Sequence, residues 1–196
     1  MAEVKSIKYR KPIVEYILSS LYAFGYTLLF DLFGVAFMVN TLHPIFVMIM
    51  SVAVLVPVSL LLYVNGKKSA EKDFKRVNTN YMNNIGRYSV NKVNPLKSLL
   101  HMSFFIGIPM VLILVGQALP GAYIQAFVSL FFVQSMTFFT ALGVYNYLVL
   151  SWWSVLAVFV HLLCTAGVFI VTYIVTIVRL NNNALDIANE IRSVGK

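Results

Sequence analysis

The sequence predicts an all-α integral membrane protein: a polytopic bundle of five hydrophobic helices, making four or five full crossings, with its N-terminus cytoplasmic. Three observations predict it. Hydrophobic residues make up 60% of the 196 and charged residues only 11%, against about 25% charged in ordinary globular chains. Mean hydropathy is +0.82. The few charges are also segregated, leaving charge-free runs long enough to dissolve in lipid. That balance excludes a disordered tail, a coiled coil and an ordinary water-soluble domain.

The chain divides into a basic N-terminal segment with a first transmembrane hairpin (1–64), a basic cytoplasmic loop (65–98), an uncharged transmembrane region (99–179) and an amphipathic tail (180–196). Lys5, Lys8, Arg10 and Lys11 precede the first apolar run, which covers about Ile17 to Val39 and is interrupted only by Asp31. Without a small-x-small cleavage site beyond it, this run is read as a retained span rather than a signal peptide. The turn Asn40–Pro44 leads to a second span, about Ile45 to Val64, which stops at Asn65-Gly66-Lys67-Lys68. At ~1.5 Å per residue each run can cross a ~30 Å hydrocarbon layer.

The loop that follows holds Lys67, Lys68, Lys72, Lys75, Arg76, Arg87, Lys92 and Lys97, opposed only by Glu71 and Asp73. The positive-inside rule therefore places it in the cytoplasm. Lys67 to Met82 has helical composition, so the second helix is expected to extend beyond the membrane, whereas Asn83-Asn84, Gly86 and Asn94-Pro95 are breakers. A third span then starts near Leu96 to Leu99.

From Ser98 to Val178 there is no Asp, Glu, Lys or Arg. Leu99 to Leu119 and Trp152 to Val178 read as spans. Between them Ala122 to Val144 is apolar but diluted by Gln, Ser and Thr. As a full span it gives five crossings; as a re-entrant or interfacial element it gives four and a cytoplasmic C-terminus. In the tail, Leu185, Ile187, Ala188, Ile191 and Val194 are spaced as on an amphipathic helix that lies on the membrane or on a partner.

Asp31 is the most informative residue, because a carboxylate deep in a span costs roughly 2.5–3.5 kcal/mol on translocon scales. Ser20, Ala23 and Thr27 share its helix face, which suits close helix packing. His161 is its candidate partner, on a face with Cys164, Thr165 and Thr172. In a four-crossing arrangement Asp31 and His161 fall at ~12 and ~13 Å from the external ends of their helices. Asp31, His161, Thr27 and Thr165 thus form a candidate intramembrane polar site. Lys72, Lys75, Arg76, Arg87 and Lys92 are candidate contacts for a partner or for anionic lipid. His101 and His43 stand at span ends, where a histidine needs no special explanation, and Cys164 reads as a small buried apolar residue.

No catalytic constellation, metal-ligand spacing or phosphate loop occurs, so no catalytic residue, metal or cofactor is expected. The net charge of +8 is accounted for by topology and lipid headgroups rather than nucleic acid. The expectation is a small non-enzymatic subunit of a larger membrane complex, such as a transport system, in a multi-pass arrangement in the plasma membrane. Its partners would be the bilayer and other membrane subunits, or further copies of itself. The alternative is a small oligomeric transporter or channel whose pathway for protons, ions or solutes is lined by Asp31 and His161.

Overall fold

In the computed structural model, residues 12–39, 44–78, 91–118 and 152–194 are described. Within these, the side chains at 31–39, 44, 47–48, 116–118, 152–154, 157 and 185–194 are not among those described. Four helices result: α1 (Pro12–Val39), α2 (Pro44–Val77), α3 (Lys97–Ala118) and α4 (Trp152–Val194). All four are long and apolar enough to cross a membrane, the architecture of a multi-pass membrane protein. The proposed crossing at 122–144 lies outside the described residues, as do His43 and Arg87.

The helices pack as a ring. α1 neighbours α2 and α3, and α4 neighbours the same two from the opposite side. Each helix turns one stripe of side chains inward at three- and four-residue spacing, as helical periodicity requires. On α2 the buried stripe is Val54, Val58, Leu62, Gly66, Ala70 and Asp73; on α4 it is Thr165, Phe169, Tyr173, Ile177 and Asn181. α3 contributes Ser98, His101, Phe105, Pro109 and Ile113, and α1 contributes Ser20, Ala23 and Thr27. Thr27 satisfies its hydroxyl within its own helix, donating to the carbonyls of Ala23 and Phe24 at 3.0 Å. Outward positions such as Leu21, Leu29, Ile49, Val56, Leu60, Val111, Val171 and Val175 are half or more exposed. A coat of that kind is stable in hydrocarbon and not in water.

α2 runs well past its apolar stretch. Its 34 residues span ~51 Å at 1.5 Å per residue, so the segment Lys67–Val77 projects beyond a ~30 Å layer as the composition predicts. At Gly66 the backbone of α2 closely approaches α4. A Cβ there would stand 2.8 Å from the Phe169 carbonyl oxygen and 3.2 Å from Thr172 Cβ. With Ala70 one turn on, this is the small-x-x-x-small spacing that lets helix backbones approach.

The chain returns to the bundle through residues 91–94, which two asparagines hold. Asn78 Oδ1 accepts the Asn91 N–H at 3.0 Å while Asn78 Nδ2 donates to the Phe74 and Asn91 carbonyls at 3.1 and 3.3 Å. Asn181 of α4 accepts the Val93 N–H at 3.2 Å and donates to the Val93 carbonyl at 3.0 Å. The breaker Asn94-Pro95 then opens α3: Asn94 Oδ1 accepts the Leu96 N–H at 2.9 Å, which caps the turn. Because Asn181 meets Val93, the C-terminal part of α4 lies at the same end of the bundle as the charged extension of α2 and the start of α1.

Cys164 departs from its sequence reading. It is exposed, because it falls between His161–Leu162 and Thr165–Ala166, which occupy the inward stripe of α4.

Candidate functional site: a buried carboxylate shared by three helices

At the charged end the inward stripes of α2, α3 and α4 converge on Asp73. The carboxylate is 2% exposed, and a charge so buried must be paired and hydrogen-bonded. Its Oδ2 accepts the Tyr173 hydroxyl at 2.7 Å and lies 2.9 Å from His101 Nε2. Its Oδ1 faces Arg76 Nη1 at 3.3 Å, one turn along the same helix. Asp73, Tyr173 and His101 sit on three separate helices, and three- or four-residue steps carry each stripe to this level: Ala70 to Asp73, Phe169 to Tyr173, and Ser98 to His101.

His101 is the hub. Tyr16 of α1 meets its ring edge-on with centroids 4.7 Å apart, and Phe169 and Tyr173 stand at 5.8 and 5.4 Å. Ser19 Oγ lies 2.9 Å from His101 Nδ1, and Ser20 Oγ donates to the His101 carbonyl at 2.6 Å. A carboxylate can only accept, so Nε2 carries the hydrogen given to Asp73. The Ser19 hydroxyl can accept as well as donate, so it serves as the partner of Nδ1 at 2.9 Å. All four helices are thereby linked through one imidazole and one carboxylate.

A second ion pair stands beside the cluster. Lys72 Nζ is 2.7 Å from Glu15 Oε2, joining the first turn of α1 to the extension of α2. Glu15, Leu18, Ser19 and Tyr22 of α1, with Asn65, Lys68, Ser69 and Lys72 of α2, line a cavity of about 190 Å³.

The residues singled out from the sequence are distributed otherwise. Lys72 and Arg76 both engage carboxylates of this chain, while Lys75 and Lys92 are exposed. His161 is 1% exposed and Thr165 9%, on the inward face of α4. Asp31 lies in α1, with its side chain outside those described. Asp31 is twelve residues from Ser19, and His161 is twelve from Tyr173, so both backbones stand ~18 Å along their helices from the cluster. Their levels match, and they are well removed from Asp73. Among the described residues no group of three His, Cys, Asp or Glu could hold a metal ion.

Sequence reasoning passed over Asp73, His101, Tyr173 and Ser19. One signal could have found them: the small and apolar stripe of α2 continues at helical spacing into the charged extension and ends on an acid. A charge on an inward stripe requires a partner from a neighbouring helix.

No family model, curated protein or solved structure matches the chain. The fold and the cluster alone define its class, a multi-pass helical membrane protein closed at one end by a buried polar clasp.

Proposed function

We propose that the chain is a small non-enzymatic membrane subunit that assists or scaffolds a larger membrane complex, such as a transport system, in the plasma membrane with its charged end in the cytoplasm. The observation that supports this most is the saturation of Asp73: both its oxygens are occupied by side chains of its own fold. The group best suited to chemistry is thus committed to holding helices together. The outer rim at this end carries the exposed residues Lys67, Lys75 and Lys92, above a coat of apolar side chains. A rim of this kind suits docking to an acidic partner surface. Affinity capture of the tagged chain from its own membranes in mild detergent tests the reading. A partner retained in fixed ratio, and lost with a Lys75→Glu, Lys92→Glu double variant, is expected; a chain that always migrates alone contradicts it.

One observation favours a second reading. Ser19, His101 and Asp73 stand in the order of an acyl-transfer relay, and Ser19 also lines the cavity. Two features weigh against it. Asp73 Oδ2 is shared with Tyr173, and Ser19 lies inside a helix whose backbone N–H groups are already bonded, so they offer no oxyanion hole. Labelling of Ser19 by a fluorophosphonate, abolished by His101→Gln, would support the relay; an unlabelled protein dismisses it.

A further inference from the structure

The cavity between α1 and α2 carries charges of both signs at a defined depth. Asn65 closes the apolar run of α2, so the cavity spans the level from the edge of the hydrocarbon outward by two helical turns. Tyr22 and Leu18 line its inner side, and Lys68, Lys72 and Glu15 line its outer side. This is the level of lipid headgroups, where amphipathic tyrosines also collect.

Glu15 is 8% exposed and uses only half its carboxylate. Oε2 takes Lys72 at 2.7 Å, whereas Oε1 is buried with no hydrogen-bond partner among the described residues. An unpaired buried oxygen of an ionised group costs free energy comparable to a lost charge-assisted hydrogen bond. A donor, preferably cationic, would relieve it. The lysines opposite, Lys68 and Lys72, are both exposed and suit an anion. At about 190 Å³ the cavity is smaller than the ~300–1,000 Å³ sites that engulf whole drug-sized ligands. It fits a compact headgroup whose tails remain in the bilayer.

We propose that this cavity binds the headgroup of an aminophospholipid with a primary ammonium, as in phosphatidylethanolamine. The ammonium donates to the Glu15 carboxylate, whose rotation turns Oε1 into the cavity, and the phosphodiester lies against Lys68 and Lys72. The acyl chains run down the apolar outer faces of α1 and α2. This site shares Ser19 with the Asp73 cluster and does not depend on the scaffold reading.

The test uses the full chain in detergent with added lipid, read by native mass spectrometry and by thermal stability. Phosphatidylethanolamine is expected to be retained at least tenfold more tightly than phosphatidylcholine, whose quaternary ammonium has no N–H to give. Glu15→Gln should abolish that preference, while binding of phosphatidylglycerol, read through Lys68 and Lys72, persists. Lys68→Ala, at an exposed position, should weaken all three lipids without changing the melting temperature of the lipid-free protein. Equal retention of phosphatidylethanolamine and phosphatidylcholine by the unaltered chain overturns the proposal, with no variant needed. So does a Glu15→Gln protein that keeps the preference. Displacement of the lipid by micromolar O-phosphoethanolamine would assign the cavity to a soluble amine phosphate and overturn the lipid assignment.

Discussion

Replacing Asp73 removes the acceptor on which Tyr173, His101 and Arg76 converge, leaving three donors without their partner. Breaking a buried ion pair from one side costs about 3–5 kcal/mol, so Asp73→Ala should unfold far more readily than the parent in detergent micelles. Tyr173→Phe removes one donor and leaves the carboxylate with His101 and Arg76. Its expected cost is that of one hydrogen bond to a charged group, about 1.5–3 kcal/mol. Denaturant or thermal titration of the two variants checks the order. Equal losses would mean that the carboxylate is held by Tyr173 alone. Of these residues the sequence singles out only Arg76, and as a contact for a partner or anionic lipid rather than as a member of a cluster. Asp73 reads there as a minor counter-charge in a basic loop, and His101 as an ordinary residue at a span end. The cluster spans 155 positions, from Ser19 to Tyr173, and a pattern read within one helix cannot show which stripes meet.

The seam between α2 and α4 depends on Gly66, where an added methyl group would press on the Phe169 backbone carbonyl rather than on a yielding side chain. Gly66→Ala should therefore cost about 1–3 kcal/mol as overpacking. Gly25 and Gly167 have open space around the same position. Alanine there should be neutral or stabilising by up to ~1 kcal/mol, since glycine is the poorer helix former. Melting temperatures of the three variants measured in one detergent give the comparison. The return segment makes a second prediction at this scale. Asn181→Ala strips both hydrogen bonds from the buried Val93 peptide, each unmet group costing about 1–3 kcal/mol. Amide exchange at 91–94 should then rise by about tenfold or more, with the centres of α2 and α4 little changed. The helices were legible because an uncharged run of spanning length has few other fates, and the extension of α2 because its composition stays helical past Lys67. The asparagine clamp was visible only as an unusual density of Asn78, Asn91 and Asn94. Its partners were not, because Asn181 reaches Val93 across 88 positions.

The described bundle is polarised along its axis: an apolar coat around most of its length and, at one end, a clasp, a salt bridge and an asparagine-held return. The number of crossings was not decidable from hydropathy, since the dilute segment Ala122–Val144 satisfies both counts, and that segment lies outside the described residues. What the bundle adds is direction. Tyr173 reaches Asp73, and Asn181 reaches Val93, so α4 descends toward the end from which α1 rises. This placement also brings the backbones of Asp31 and His161 to one level.

That polarity is open to direct chemical labelling. In a Cys164→Ser background, single cysteines at Lys92 and at Asn183, both exposed, are probed in intact cells and in permeabilised ones with a membrane-impermeant maleimide. Protection of both positions in intact cells and reaction of both after permeabilisation is the predicted result. Reaction of the two positions from opposite sides of the membrane would contradict the shared polar end on which the account rests.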